Sequence, residues 1–225
     1  NTSLGNLNAS AGLAGGNGGT VILDADGNLA VGNINSSGGA LGGGGAILLN
    51  SDRASVSVSA NATINSSTNG IGSAGNIQAI GPLVFLNPGA TLSANSTAAG
   101  NAGSIGIQAA PNGGVVSLGA TLETTVEGAG TGSAGGINVS GGILSLTTTR
   151  FDSRGQSGNG GGGSVFLNAT NGGLTFANSQ IATDTVGAGN AGNVQMTALN
   201  GELIVNGSSI NTKTSGTGIS GTVNL

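Results

Sequence analysis

The sequence predicts an all-β chain, a right-handed parallel β-helix (solenoid) of seven to eight coils with about 29 residues and three short strands per coil. Three observations predict it. A glycine-marked phrase returns eight times: a small residue or Gly, then Gly, one spacer, then Ile or Val. It stands at Gly19-Thr20-Val21, Gly45-Ala46-Ile47, Gly75-Asn76-Ile77, Gly103-Ser104-Ile105, Gly135-Gly136-Ile137, Gly163-Ser164-Val165, Gly192-Asn193-Val194 and Gly221-Thr222-Val223. The intervals are 26, 30, 28, 32, 28, 29 and 29 residues. Between marks the apolar residues alternate with a period of two, and no helical period is seen. Gly is 48 of 225 residues and Pro only 3, so turns are frequent and collagen is excluded. Fixed-period repeats of short strands stack as a solenoid, and parallel crossovers favour the right hand.

The coil from Gly163 to Ala191 gives the elements in order. Val165 and Leu167 alternate on one face of a first strand, and Asn171-Gly172-Gly173 is a turn signal. Leu174-Thr175-Phe176 is a second strand, Ala177-Asn178-Ser179 turns the chain, and Ile181-Ala182-Thr183-Asp184-Thr185 is a third. Val186 to Ala191 leads to the next mark. The second-strand apolar pairs read Leu29/Val31, Val56/Val58, Leu83/Phe85, Val116/Leu118, Leu144/Leu146, Leu174/Phe176 and Leu203/Val205. The third strands are led by Ile34, Ile64, Leu92, Leu122, Phe151, Ile181 and Ile210, each followed by a spacer and a small residue. Coils ~4.8 Å apart make a rod of roughly 35 Å. Inward Val, Ile, Leu and Phe form ladders, each side chain contributing about 1.5–3 kcal/mol on burial. The Gly runs belong at corners that need positive φ or close backbone packing.

Composition bounds the chemistry. Apolar residues make up 36% of the chain and recur evenly, which opposes the disorder that abundant Gly, Ser and Asn would otherwise suggest. Charged residues are 5% and the net charge is −4, so no basic face exists and no nucleic-acid partner is expected. No run approaches 18 apolar residues, so no membrane-spanning helix is expected. His, Cys, Trp and Tyr are absent, which excludes Ser-His-Asp and Cys-His catalysis, histidine or thiolate metal sites, and disulfides. A Cys-free chain fits an exported bacterial protein.

The carboxylates were weighed as chemistry. Hydrolysis of a glycosidic bond needs two carboxyl groups about 5–9.5 Å apart, and Asp26/Asp52 and Glu123/Asp152 stack at such separations. They are read instead as solvated side chains on an outer face, near Arg53 and Arg150 respectively. Arg154, Asp184 and Lys213 each lie three residues beyond a third-strand apolar position, predicting a plus, minus, plus column. Asp24, Asp26 and Asp52 could seat one calcium ion, but surface acid is the preferred reading. Gly160-Gly161-Gly162-Gly163-Ser164-Val165 lacks the Asp of a calcium-binding β-roll. Gly187 to Gly192 lacks the helix and Lys of a phosphate cradle. The outward third-strand residues Asn35, Asn65, Ser93, Glu123, Asp152, Ala182 and Asn211 do not form the regular Thr lattice of an ice-binding solenoid. No catalytic, cofactor-binding or metal-binding residue is assigned, and no cofactor is expected. Ile22, Leu48 and Phe166 point outward from the first strand and offer lateral contacts.

The phrases Gly189-Asn190-Ala191-Gly192-Asn193-Val194, Gly100-Asn101-Ala102-Gly103-Ser104-Ile105 and Gly72-Ser73-Ala74-Gly75-Asn76-Ile77 resemble repeats of the filamentous-haemagglutinin-like exoproteins of two-partner secretion. The cyanobacterial proteins of S-layer or haemagglutinin type are the nearest in style. The resemblance runs from about Gly16 onward and rests on repeat style. It implies a right-handed β-helical shaft on the outer cell surface or in the surrounding matrix, exported through an outer-membrane partner transporter. The family's amino-terminal secretion domain is not recognisable, so residues 1–225 are expected to be a single β-helix segment of a longer repeat protein. The expected function is a non-enzymatic structural or adhesive surface protein, secreted or held at the bacterial cell surface. The alternative is a β-helix that binds or cleaves polysaccharide. Neither Asn1–Gly18 nor Ser220–Leu225 resembles a cap, so end-to-end self-association is an expected partnership, and a cell-surface or matrix polysaccharide is another.

Overall fold

The computed structural model describes residues 1–12, 15–128, 131–156, 158 and 160–225. Two residues of the stretch before Gly18, Leu13 and Ala14, lie outside that set. The described chain is a parallel β-solenoid of three eight-stranded sheets, with coils of about 29 residues. Each strand pairs only with its copies one coil before and one coil after. Among the described residues no helix is long and apolar enough to cross a membrane.

The first sheet starts with Val21–Ala25, Ile47–Ser51 and Ile77–Gly81. It continues through Ile105–Ala109, Ile137–Gly141, Val165–Ala169 and Val194–Ala198 to Val223–Asn224. The marking residues fall in one register from Val21 to Val223, as the repeat predicts. The third sheet keeps the expected register as well, from Ile34 through Ile64, Leu92, Leu122, Phe151 and Ile181 to Ile210. Both ladders point inward, and all but Ile210 of the last coil are buried. Phe151 and Phe176 pack in the core with ring centroids 6.2 Å apart and planes tilted by 40°, a favourable aromatic geometry.

The second sheet, from Thr2–Leu4 to Leu203–Asn206, corrects two strands. Val56 pairs with Val84 and Val58 with Leu86, so Val84/Leu86 face the core, not Leu83/Phe85. One coil on, Val115 and Ser117 take the inward places, not Val116/Leu118. Leu83 and Leu118 are exposed at 40% and 45%. The runs Leu83-Val84-Phe85-Leu86 and Val115-Val116-Ser117-Leu118 are nearly all apolar, so period two cannot choose a face, and a one-residue slip exchanges every side chain. Inside the core Ser117 is satisfied: it accepts a hydrogen bond of 2.8 Å from the Thr149 hydroxyl.

The chain also holds a partial coil ahead of the first mark. Thr2–Leu4 pairs with Leu29–Val31, and Leu7–Asn8 with Ile34–Asn35. The signal was present, since Leu4 and Leu7 repeat the spacing of Val31 and Ile34.

The glycines serve close stacking more than positive φ. A Cβ on Gly75, Gly103, Gly135, Gly163, Gly192 or Gly221 would collide with the carbonyl oxygen of the marking glycine one coil earlier. The mark is therefore a ladder of glycines packed backbone to backbone. A hydrogen bond of 2.8–3.2 Å closes each coil there, from the glycine N–H to the carbonyl of the small residue after the third strand, as in Gly103 to Ala94 and Gly135 to Thr124. The Thr124 and Thr183 hydroxyls add bonds of 2.6 and 2.7 Å to the Gly135 and Gly192 carbonyls. Positive φ is concentrated in a different column, two residues before the third strand: Asn61, Gly89, Gly119, Thr148, Asn178 and Gly207. Gly and Asn tolerate that region; Thr148, at φ 51°, is the β-branched exception.

Candidate functional site

The charged residues gather in two places. At one, Arg53 Nε lies 3.1 Å from Asp26 Oδ1, with both side chains largely exposed. Ala25 and Ser51 pair across the coils, so Asp26 and Asp52 follow in register as expected. Asn50 bridges the acids beside them, donating to Asp24 at 2.8 Å and to Asp52 at 2.9 Å.

At the other, Glu123 and Asp152 are direct neighbours in the third sheet, as the spacing predicts. Asp152 is nevertheless not a solvated outer-face acid: its side chain is only 3% exposed. Arg150 closes over it from the same strand, and Arg154 donates from Nε and Nη2 at 2.6 Å each. The spacing of two residues on either side places both guanidinium groups on the same face as the carboxylate. Glu123 accepts a bond of 3.2 Å from Asn95. The Arg154 guanidinium is held above its ordinary range, chiefly by its hydrogen bonds to Asp152, with the charges of Asp152, Asp184 and Glu123 adding to the effect against partial burial. The charged column Arg154, Asp184, Lys213 does stack, since the next residues Gly155, Thr185 and Thr214 bridge in parallel. The ion pair, however, runs along the chain from Arg154 to Asp152 and not across coils to Asp184. A two-residue reach within one strand with bidentate geometry displaces the cross-coil partner. Among the described residues no three His, Cys, Asp or Glu side chains come together as metal ligands.

A different face carries the clefts. The outward side of the first sheet is lined by shallow clefts of about 120 to 370 Å³ that follow one another along the rod. The largest runs past Gln78, Gly106, Asn138 and Phe166. Ile22 and Phe166 are exposed there as predicted, and Leu48 is half-buried. The amide side chains of this face escaped the sequence reading, because Asn and Gln are frequent throughout and only the strand register shows which ones share a surface.

These amides differ from the others in the chain. Elsewhere Asn side chains fasten one coil to the next: Asn17 to Gly43 N–H at 2.8 Å, Asn76 to Ser104 N–H at 2.8 Å, and Asn193 to Thr222 N–H at 2.9 Å. On the first-sheet face the side chains of Gln78, Gln108, Asn138 and Asn168 make no hydrogen bond with the rest of the described residues. Gln195 reaches Thr197 only at 3.5 Å.

Fold and faces together define a parallel β-helix repeat protein with one amide-rich face. No family model, curated protein or solved structure matches the chain.

Proposed function

We propose that this chain is the stiff shaft of an extracellular structural or adhesive surface protein, and that it is not an enzyme. One observation carries the reading: the stack is uninterrupted. Every inner strand of all three sheets has both neighbours, and coils follow one another with corner segments a few residues long. Solenoids of this kind are quasi-one-dimensional and supply length and repeated surface. The carboxylate pair Glu123/Asp152 supports the non-enzymatic part, since Asp152 is enclosed by Arg150 and Arg154 and turned away from any substrate. The repeat style supports residence at an outer bacterial cell surface, export through an outer-membrane partner transporter, and contact with surface or matrix polysaccharide. End-to-end association of copies belongs to the same reading, because unpaired strand edges template further pairing.

Electron microscopy of the purified segment over a range of concentrations tests it, together with an assay for new reducing ends on a panel of polysaccharides. Straight rods of roughly 35 Å per chain and no reducing ends are expected, with longer fibres at high concentration where copies join. Release of reducing ends that Asp52→Asn abolishes would overturn the shaft reading in favour of a polysaccharide-cleaving β-helix.

A further inference from the structure

The outward positions of the first sheet form two columns, the second and the fourth residue of each strand. Pairing places Leu48, Gln78, Gly106, Asn138, Phe166 and Gln195 in one column. It places Asn50, Ile80, Gln108, Ser140, Asn168 and Thr197 in the other. Over six consecutive coils the amide switches column at each step: Asn50, Gln78, Gln108, Asn138, Asn168, Gln195. The remaining places hold apolar, small or hydroxyl side chains. Amides in one column thus recur every second coil, ~9.6 Å apart, and the two columns lie ~6.6 Å apart along the strands.

Gly106 sits in the middle of this pattern and has no structural reason to be glycine. Its φ is not positive, and an added Cβ would meet only Gln78 Cγ at 3.8 Å, an ordinary contact. Most other glycines of the stack have a neighbouring carbonyl in that place. What the missing side chain does is leave a notch between Gln78 and Asn138, which opens the largest cleft of the face.

We infer that this face is a binding track for a neutral, extended, β-linked polysaccharide lying along the rod axis. Each amide both donates and accepts, which suits sugar hydroxyls. A β-linked chain with two-fold symmetry turns over at each ring, so its hydroxyl edges alternate sides and repeat every second ring, a length comparable with two coils. The C–H faces of the rings rest on Ile80 and Phe166 and in the notch at Gly106. From Gln78 to Thr197 neither column holds a charged residue, which disfavours acidic polysaccharide and nucleic acid. The inner strands are paired on both sides, so a peptide cannot add as a strand. A protein partner would call for Trp, Tyr or Arg anchors, and the face has none.

This inference rests on the shaft reading and names what one side of the shaft holds. Its test is affinity electrophoresis through gels containing hydroxyethylcellulose, mixed-linkage β-glucan or galactomannan, with pull-down on microcrystalline cellulose and chitin. Gly106→Ile fills the notch, and Gln108→Ala/Asn138→Ala removes two amides; both leave the core untouched, and melting temperatures verify the fold. Retardation by at least one of these polymers is expected, weakened about tenfold by the double variant, the effect of losing one or two hydrogen bonds, and abolished by Gly106→Ile. The inference is overturned if no polymer retards the chain, or if both variants bind like the parent. It is also overturned if sedimentation shows this face pairing with a second copy and the variants dissolve that dimer without changing retardation. Binding without reducing ends leaves the shaft reading intact, so the two readings fail separately.

Discussion

At the scale of single residues, the glycines of this chain divide by what surrounds them. Gly103 has the Gly75 carbonyl where its Cβ would sit, in a corner where coils on both sides prevent retreat. Gly103→Ala is expected to destabilise by about 3 kcal/mol, the upper end of overpacking costs. Gly106→Ala, three residues on, is expected to be neutral or to stabilise by up to about 1 kcal/mol, because a strand interior favours Ala over Gly and the space is open. Paired urea titrations separate the two, and equal effects would refute the distinction. Thr148 supplies a second case. Its column is otherwise Asn and Gly at positive φ, so Thr148→Asn is expected to stabilise by about 1 kcal/mol through relief of backbone strain. An unchanged or lowered urea midpoint would show that the Thr side chain compensates for its conformation.

At the scale of the strand, the sequence was legible where alternation was clean and ambiguous where it was not. The first and third sheets could be laid out from Val21, Ile47 and Ile34 onward because one apolar residue per strand is bracketed by glycine or by a polar spacer. The strands Leu83–Leu86 and Gly114–Leu118 offer apolar residues to both faces, and neighbours decide the register: Val56 and Val58 below, Leu144 and Leu146 above. Val84→Ser is therefore expected to cost about 2–3 kcal/mol, through lost burial and a buried hydroxyl. Leu83→Ser should stay within about 0.5 kcal/mol, as at ordinary surface positions. The reverse order in chemical denaturation would restore the Leu83/Phe85 register. The candidate sites were legible in part. Spacing alone stacked Glu123 on Asp152, but the burial of Asp152 depends on two arginines folding over it, which no spacing rule contains. The alternating amides become visible only after the register is fixed, because their separation in the chain ranges from 27 to 30 residues.

At the scale of the whole molecule, stability is a sum over coils and the contacts between them. Val139, Leu122 and Val115 lie in middle coils covered on both sides, whereas Val205 and Val223 in the last coil are covered from one side and remain exposed. Amide hydrogen exchange in this chain is expected to be slowest across Ile77–Leu146 and to quicken toward the last coil. Uniform protection along the chain would mean that the solenoid opens as one unit.

The three sheets also aim every coil-to-coil hydrogen bond along the rod axis, in parallel at each interface and in series from one interface to the next. Tension applied end to end therefore loads all bonds of an interface together, and yielding proceeds one coil at a time. A coil of about 29 residues that pulls free unravels to about 100 Å of extended chain, roughly twenty times the ~4.8 Å it occupied in the stack. Under a steady pull such a tether lengthens in discrete increments and dissipates work at each one, while the coils still stacked keep their shape.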